Sequence, residues 1–211
     1  EKTVEDLING KAVGWFQGRM EFGPRALGAR SILGDPRSTS MQKDLNLKVK
    51  FRESFRPFAP SVIYSDVSEW FDMNVKSPYM SMVTKVNFKK IFKMNEEEKK
   101  LSGFKKLNIK RSNIPAVTHV DNTARVQTVT QETNEKYFKL LERFKFKTGC
   151  PVLINTSFNV RGEPIVNTPK DAFKCFMGTQ LDTLVIGNCY LKKDDQDNKL
   201  SKKYLNEFEL D

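Results

Sequence analysis

A chain of 211 residues with 38% hydrophobic and 11% aromatic content can bury a real core and is too apolar for wholesale disorder. No apolar run approaches a membrane span. The three cysteines, Cys150, Cys175 and Cys189, lack metal-site spacing and the even count of a disulfide framework; each reads as a small buried apolar residue in a reducing cytoplasm. The formal charge is +10, but residues 88–111 hold nine Lys/Arg against three Glu, so most of the excess is one solvated segment and weak ground for a nucleic-acid partner.

In chain order, Val4 to Ile8 suits a short amphipathic helix and Ala12 to Gln17 a strand. The chain starts at Glu1 without a signal-peptide pattern and reads as a piece of a longer protein. Between the first strand and a second, Ser31–Leu33, lies a segment carrying Arg19, Glu21, Arg25 and Arg30 with three glycines, Gly18, Gly23 and Gly28. Guanidinium is planar, permanently charged and able to form paired hydrogen bonds with phosphate or carboxylate oxygens. Glycine lets backbone N–H groups approach an anion. The chain has neither G-x-x-x-x-G-K-[ST] nor G-x-G-x-x-G, so any phosphate here is held mainly by arginine side chains.

Ser38 or Thr39 caps a helix that keeps Met41, Leu45, Leu47 and Val49 on an apolar side to about Lys50. Pro57 and Pro60 then force extended chain through Ile63. Val67 to Phe71 is a short helix and Tyr79 to Val86 a strand. Residues 88–113 lack clean periodicity and form a lysine-rich, partly helical excursion. Pro115 to Val120 and Ala124 to Thr130 read as strands around a polar turn. Thr133 caps the helix Glu135–Phe146, which Gly149 closes. Pro151 to Ile154 is a strand, Thr168-Pro169 opens a helix through Met177, and Thr183 to Leu191 is the last strand. Residues 193–211 form a charged, mobile tail. The pattern predicts an α/β (α+β) domain with a twisted mixed sheet flanked by helices.

Three more stretches are rich in chemistry. Lys50 and Arg52, two apart in extended chain, share a face; their anion is either a structural carboxylate such as Glu53 or Glu21 or a ligand phosphate. His119, the only histidine, cannot make a protein metal site alone and reads as hydrogen-bonded structure. Arg125 and Gln127 share a strand face nearby. The apolar strand ending at Ile154 runs into Asn155, Thr156, Ser157 and Asn159, short polar groups suited to phosphate oxygens beyond a strand end. No nucleophilic triad or carboxylate cluster for two-metal chemistry is visible. The residues point to anion binding and activation.

Trp15–Gly28, Val49–Glu53 with Arg56–Pro60, His119–Asp121 with Thr123–Arg125, and Asn155–Asn159 with Gly162–Pro164 together resemble the C-terminal domain of the O-carbamoyltransferases, which include nodulation-factor and antibiotic carbamoylating enzymes. The resemblance spans about residues 1–192, one domain. It departs at Asn122, where glycine is expected, and in the long 88–113 excursion. It implies a YrdC-like fold that takes ATP, accompanied by Mg2+, and carbamoyl phosphate, and makes carbamoyl-adenylate. A separate N-terminal actin-like ATPase-type lobe, with its own iron-type metal, would pass the carbamoyl group to a hydroxyl. This stretch alone is not expected to complete the transfer. The implied catalytic residues are Arg25, Lys50 and Arg52. Arg19, Glu21, Arg30, Arg56, Arg125, Asn155, Thr156, Ser157 and Asn159 would bind substrate and ATP, with Glu21 orienting an arginine. No metal ligand, membrane or nucleic acid is expected for this stretch. A nucleic-acid module or a YrdC domain of the tRNA threonylcarbamoyl-adenylate type is the alternative.

Overall fold

The computed structural model describes residues 1–107, 109–197 and 199. Eight strands form one open mixed sheet: β1 Val13–Phe16, β2 Arg30–Gly34, β3 Ala59–Ile63, β4 Met82–Lys85, β5 Thr123–Val129, β6 Val152–Ser157, β7 Thr183–Ile186 and β8 Cys189–Lys192. Their order is β4-β5-β3-β6-β2-β1-β7-β8. The β1/β7 and β3/β5 pairs are parallel and the rest antiparallel. Strands β1, β2 and β3 are buried at every position, the polar Arg30, Ser31 and Ser61 included, whereas β4 and β8 at the two edges are largely exposed.

Helices α1 (Lys2–Ile8) and α6 (Glu135–Thr148) pack on each other and on the sheet, α1 against β1 and α6 against β3 and β6; α7 (Pro169–Gly178) covers β1 and β7. The buried side of α6 is Tyr137, Leu140, Leu141 and Phe144, with Gly149 ending the helix at φ 73°. Its cap is Asn134, whose side chain accepts from the Tyr137 N–H at 3.1 Å, one residue after the expected Thr133. Thr168 caps α7 through a reciprocal bond with Asp171, with Pro169 at the first helical position.

Several expectations need correction. Pro115 to Val120 is no strand: Pro115–Val117 is a 3-10 turn, because the Thr118 hydroxyl donates to the Ile114 carbonyl and closes the chain on itself. The expected strand Thr183–Leu191 is a hairpin, β7 and β8, turning at Gly187 with φ 58°. The excursion 88–113 holds α4 (Glu96–Lys100) and α5 (Gly103–Leu107). Asn122 sits at φ 63°, the left-handed region that glycine favours and asparagine tolerates. Cys150 and Cys175 are buried, but Cys189 on the edge strand is exposed. The expected tail begins as an ordered turn, Lys193–Asp195, with the Lys193 ammonium donating to the Phe176 and Thr179 carbonyls; Asn198 and residues 200–211 of it lie outside the described residues.

Candidate anion-binding site

The loop between β1 and β2 is held from within. One oxygen of Glu21 accepts the backbone N–H groups of Leu27 and Ala29, both at 2.7 Å, and of Arg30 at 3.4 Å. Glu21 therefore shapes the loop through its amides, where an arginine was the expected partner. Trp15 clamps the base by donating its indole N–H to the Gly28 carbonyl at 2.9 Å. Gly28 has φ 105°, and a Cβ there would meet the Tyr137 ring at 2.4 Å. Only glycine fits. The tip, Phe22 to Arg25, stands in solvent.

The loop divides its arginines. Arg19 and Arg25 are exposed, line a cavity of about 580 Å³ and form no ion pair among the described residues. Arg30 is buried elsewhere. Its guanidinium lies 3.4 Å over the Phe16 ring and donates to the carbonyls of Gln17, Gly18, Ala29 and Asn167. The structure does not bring Arg30 to the site: its donors stitch the β1–β2 turn to the segment before α7.

Lys50 and Arg52 do converge, though not as an extended pair. Helix α2 (Met41–Asp44) runs into a π-helical turn, Leu45–Val49, and the Lys50 N–H closes it on the Leu45 carbonyl at 2.9 Å. Phe51 then takes φ 49°, a strained value for a bulky residue and a type of distortion that clusters at functional sites. This kink turns both cations to one cavity of about 300 Å³, shared with Arg56, Ser157, Asn159 and Glu163. Lys50 Nζ is buried and donates to Ser157 Oγ at 3.2 Å, to the Asn159 carbonyl at 2.9 Å and to Asn159 Oδ1 at 2.7 Å. All of these are neutral oxygens. Burial, with Arg52 beside it, pushes its pKa down to about 7. Arg52 Nε donates to Asn46 Oδ1 at 2.7 Å, and burial followed by Arg56 lowers its pKa to about 10. Arg56 pairs with Glu53 at 2.9 Å on the exposed rim.

The third component is the end of β6. Asn155 pairs across the sheet with Leu33 and Ala59, which places its amide among polar groups of β3 and β5. Asn155 Nδ2 donates to Gln127 Oε1 at 2.8 Å, Ser61 donates to the same oxygen, and Gln127 Nε2 donates to the Leu27 carbonyl at 2.8 Å. The amide N–H that would have met a phosphate oxygen is thus committed to Gln127. Ser157 Oγ is 2.8 Å from Asn159 Oδ1. Arg125, on β5, has a buried Nε without a partner, and burial together with Arg25 lowers its pKa.

A third cavity, about 140 Å³, joins these parts. It shares Pro24 and Arg25 with the first and Arg52 and Ser157 with the second, and adds Arg125, Asn155 and Thr156. Along these shared residues the three adjoin, and this cleft region as a whole is lined by Arg19, Arg25, Lys50, Arg52 and Arg125. Two carboxylates share the lining: Glu21, whose Oε1 accepts from the loop amides while Oε2 is buried without a partner, and Glu163, which accepts from the Val160 N–H at 2.8 Å. The five cations outnumber these two carboxylates, so the cleft is electropositive and suited to an anion. His119 is half-buried outside these cavities, its pKa lowered by burial. Among the described residues no three His, Cys, Asp or Glu side chains group as a metal site, and no helix is long and apolar enough to cross a membrane.

A family model described as the carbamoyltransferase C-terminus matches residues 4–193. The chain belongs to that family. It is 56% identical over its whole length to an uncharacterized protein of Synechocystis, covering 34% of it. It is 43% identical over 91% of its length to the nodulation protein NolNO of Sinorhizobium fredii, covering 26% of that protein. With the 3'-hydroxymethylcephem-O-carbamoyltransferase of Streptomyces clavuligerus it shares 33% identity over 89% of its length and 32% of the relative's. The chain therefore spans about a third or less of the relatives it matches.

Sequence reasoning missed Gln127 as the hub of the buried network and Asn46 as the support of Arg52. Asn46 lies on an element read only for its apolar pattern, whereas Gln127 is placed on the Arg125 face without a role of its own. For Gln127 the signal was present: it lies two residues after Arg125 on one strand, hence on the same face.

Proposed function

We propose that this chain is the part of an O-carbamoyltransferase that binds ATP and carbamoyl phosphate and makes carbamoyl-adenylate, which a lobe elsewhere in the full-length protein transfers to a hydroxyl acceptor. The relatives' length supports such a lobe, and two family members bear carbamoyltransferase names for a cephem hydroxymethyl group. The observation that carries the reading is the cleft itself, where Arg25, Lys50, Arg52 and Arg125 converge from three segments and cations outnumber the carboxylates Glu21 and Glu163 that share the lining.

Adenylation brings two anions together. Water first cleaves carbamoyl phosphate to carbamate and phosphate; a carbamate oxygen then attacks the α-phosphorus of ATP, one P–O bond forms and the bond to the departing pyrophosphate breaks. Repulsion between carbamate and triphosphate is the barrier, and fixed cations in a water-poor site lower it. Lys50 and Arg52, held by Asn159 and Asn46, face one anionic group; Arg25 and Arg125 face the next. Arg19, Arg56, Thr156, Ser157 and Asn159 line the same cleft, and Glu21 holds its loop. Mg2+ arriving on the triphosphate offsets charge there, keeps most of its water and needs few protein ligands. A cytoplasmic setting, where ATP is abundant, suits this reading, and any iron-type metal belongs to the other lobe.

Titration calorimetry tests the proposal. The full-length protein that carries this chain binds ATP saturably, and Arg25→Ala weakens that binding about tenfold or more. Absence of heat with ATP, carbamoyl phosphate and the two together overturns it.

A further inference from the structure

The loop that delivers Arg52 and Arg56 hangs on one buried amide. Asn46 sits within the π-helical turn, is 0% exposed and reaches forward to three residues of that loop. Its Oδ1 accepts from Arg52 Nε at 2.7 Å, and its Nδ2 donates to the carbonyls of Arg56 at 2.9 Å and Ser54 at 3.2 Å. Its own carbonyl accepts the Arg52 N–H at 3.0 Å. The orientation of the amide is fixed, because Nε–H can only donate and the two carbonyls can only accept. A second amide, half-buried Gln42 on α2, donates to the Phe55 and Arg56 carbonyls at 3.1 and 3.2 Å and makes no hydrogen bond to the Arg52 side chain.

Asn46 grips the guanidinium by its Nε and leaves the four terminal N–H donors over. Among the described residues none of these four forms a hydrogen bond or ion pair. Phe58 steadies the plane, with its ring centre 5.2 Å from the guanidinium carbon. Arg52 lines both the cavity of about 300 Å³ and the one of about 140 Å³, so it stands where the two adjoin. The chemistry of the holder matters as much as its place. A carboxylate at 2.7 Å would hold Nε equally well, but as an ion pair that neutralises the charge within the protein. A neutral amide fixes the group and leaves its charge to a ligand.

We infer that Asn46 is a positioning residue for the anion: it presents the terminal N–H pair of Arg52 to a phosphoryl group of the substrate while leaving that cation unneutralised. The inference rests on the adenylation reading above and names the group that orients one of its cations.

The experiment measures binding of ATP and of carbamoyl phosphate to the full-length protein by titration calorimetry, in the wild type, Asn46→Ala, Arg52→Met, their double variant and Gln42→Ala. For the ligand whose binding Arg52→Met weakens by about tenfold or more, Asn46→Ala weakens it by about fivefold or more, because the cation loses the bond that orients it. In the Arg52→Met background the same change alters affinity by less than about twofold. Gln42→Ala, which loosens the same loop without releasing the guanidinium, stays within about twofold of the wild type. Asn46→Asp, which keeps an acceptor for Nε and adds a charge, weakens binding at least as much as Asn46→Ala. Arg52→Lys keeps the charge but has neither Nε–H nor a planar fork, and loses about tenfold or more. That variant leaves Asn46 in place and decides the matter if circular dichroism shows that the Asn46 variants do not fold. Additive effects of Asn46→Ala and Arg52→Met, an equal loss in Gln42→Ala, or wild-type affinity in folded Asn46→Ala, Asn46→Asp or Arg52→Lys overturns the inference and leaves the adenylation reading standing. Affinity for both ligands unchanged in Arg52→Met overturns it too, by removing Arg52 from the anion site. No heat with either ligand in the wild type removes the adenylation reading and this inference together.

Discussion

Replacing Lys50 by methionine separates the stability of the free protein from its affinity for anions. The Lys50 ammonium is buried, donates to neutral oxygens, and is repelled by Arg52 more than Glu163 attracts it. Its pKa falls from 10.5 in the unfolded chain to about 7 in the fold. Between those values the unfolded chain binds one proton more than the native protein, so stability rises with pH; below about pH 7 both states are protonated and the full cost persists. At about 1.36 kcal/mol per pH unit, keeping the buried ammonium charged costs about 5 kcal/mol at low pH. From pH 6 to pH 9 the wild type should gain about 3 kcal/mol of stability relative to Lys50→Met. The hydrogen bonds that methionine cannot make shift the offset between the two proteins but not its dependence on pH. Urea unfolding of both at pH 6, 7, 8 and 9 reads this directly. Curves that stay parallel within about 0.5 kcal/mol across that range refute the argument that Lys50 is an uncompensated buried charge. The same variant should lose anion binding, because the charge that burdens the free protein is the one a phosphate would neutralise.

Two further perturbations probe the loop. Gly28→Ala forces a Cβ to within 2.4 Å of Tyr137 at a backbone φ of 105°, and should cost about 3 kcal/mol, a fall in Tm of about 6–12 °C. An unchanged melting curve would contradict the packing described. Arg25→Ala and Arg30→Met should diverge: Arg25 is exposed, so its loss leaves stability within about 0.5 kcal/mol and acts on ATP binding, whereas loss of Arg30 strands several carbonyls and destabilises the protein by about 2–3 kcal/mol. Equal melting temperatures for the two variants would show that the division of labour drawn here is wrong.

What the chain discloses on its own depends on how local the cause is. The α6 helix was legible because its apolar side, a polar residue at its start and Gly149 at its end are local signals; the cap moved by one residue because Thr133 and Asn134 are both competent and only the bond to Tyr137 chooses. Pro115 to Val120 looked extended because its valines favour strands, yet the Thr118 hydroxyl, bonded to the Ile114 carbonyl, closed it into a turn. Lys50 and Arg52 were recognised by charge, but a strained Phe51 is set by the fold around it and leaves no mark in spacing. Arg30 shows the limit most clearly. It sits in the same short motif as Arg19 and Arg25, and only the position of the Asn167 carbonyl, 137 residues away, reveals that its role is structural.

The adenylation claim meets its most direct test in isotope exchange between pyrophosphate and ATP. With the full-length protein, labelled pyrophosphate should enter ATP only when carbamoyl phosphate is present, and the exchange should fall by about 10² or more in Lys50→Met and Arg52→Ala. Carbamoyl transfer to an acceptor that proceeds with no such exchange, or exchange that Lys50→Met and Arg52→Ala leave unchanged, would contradict it.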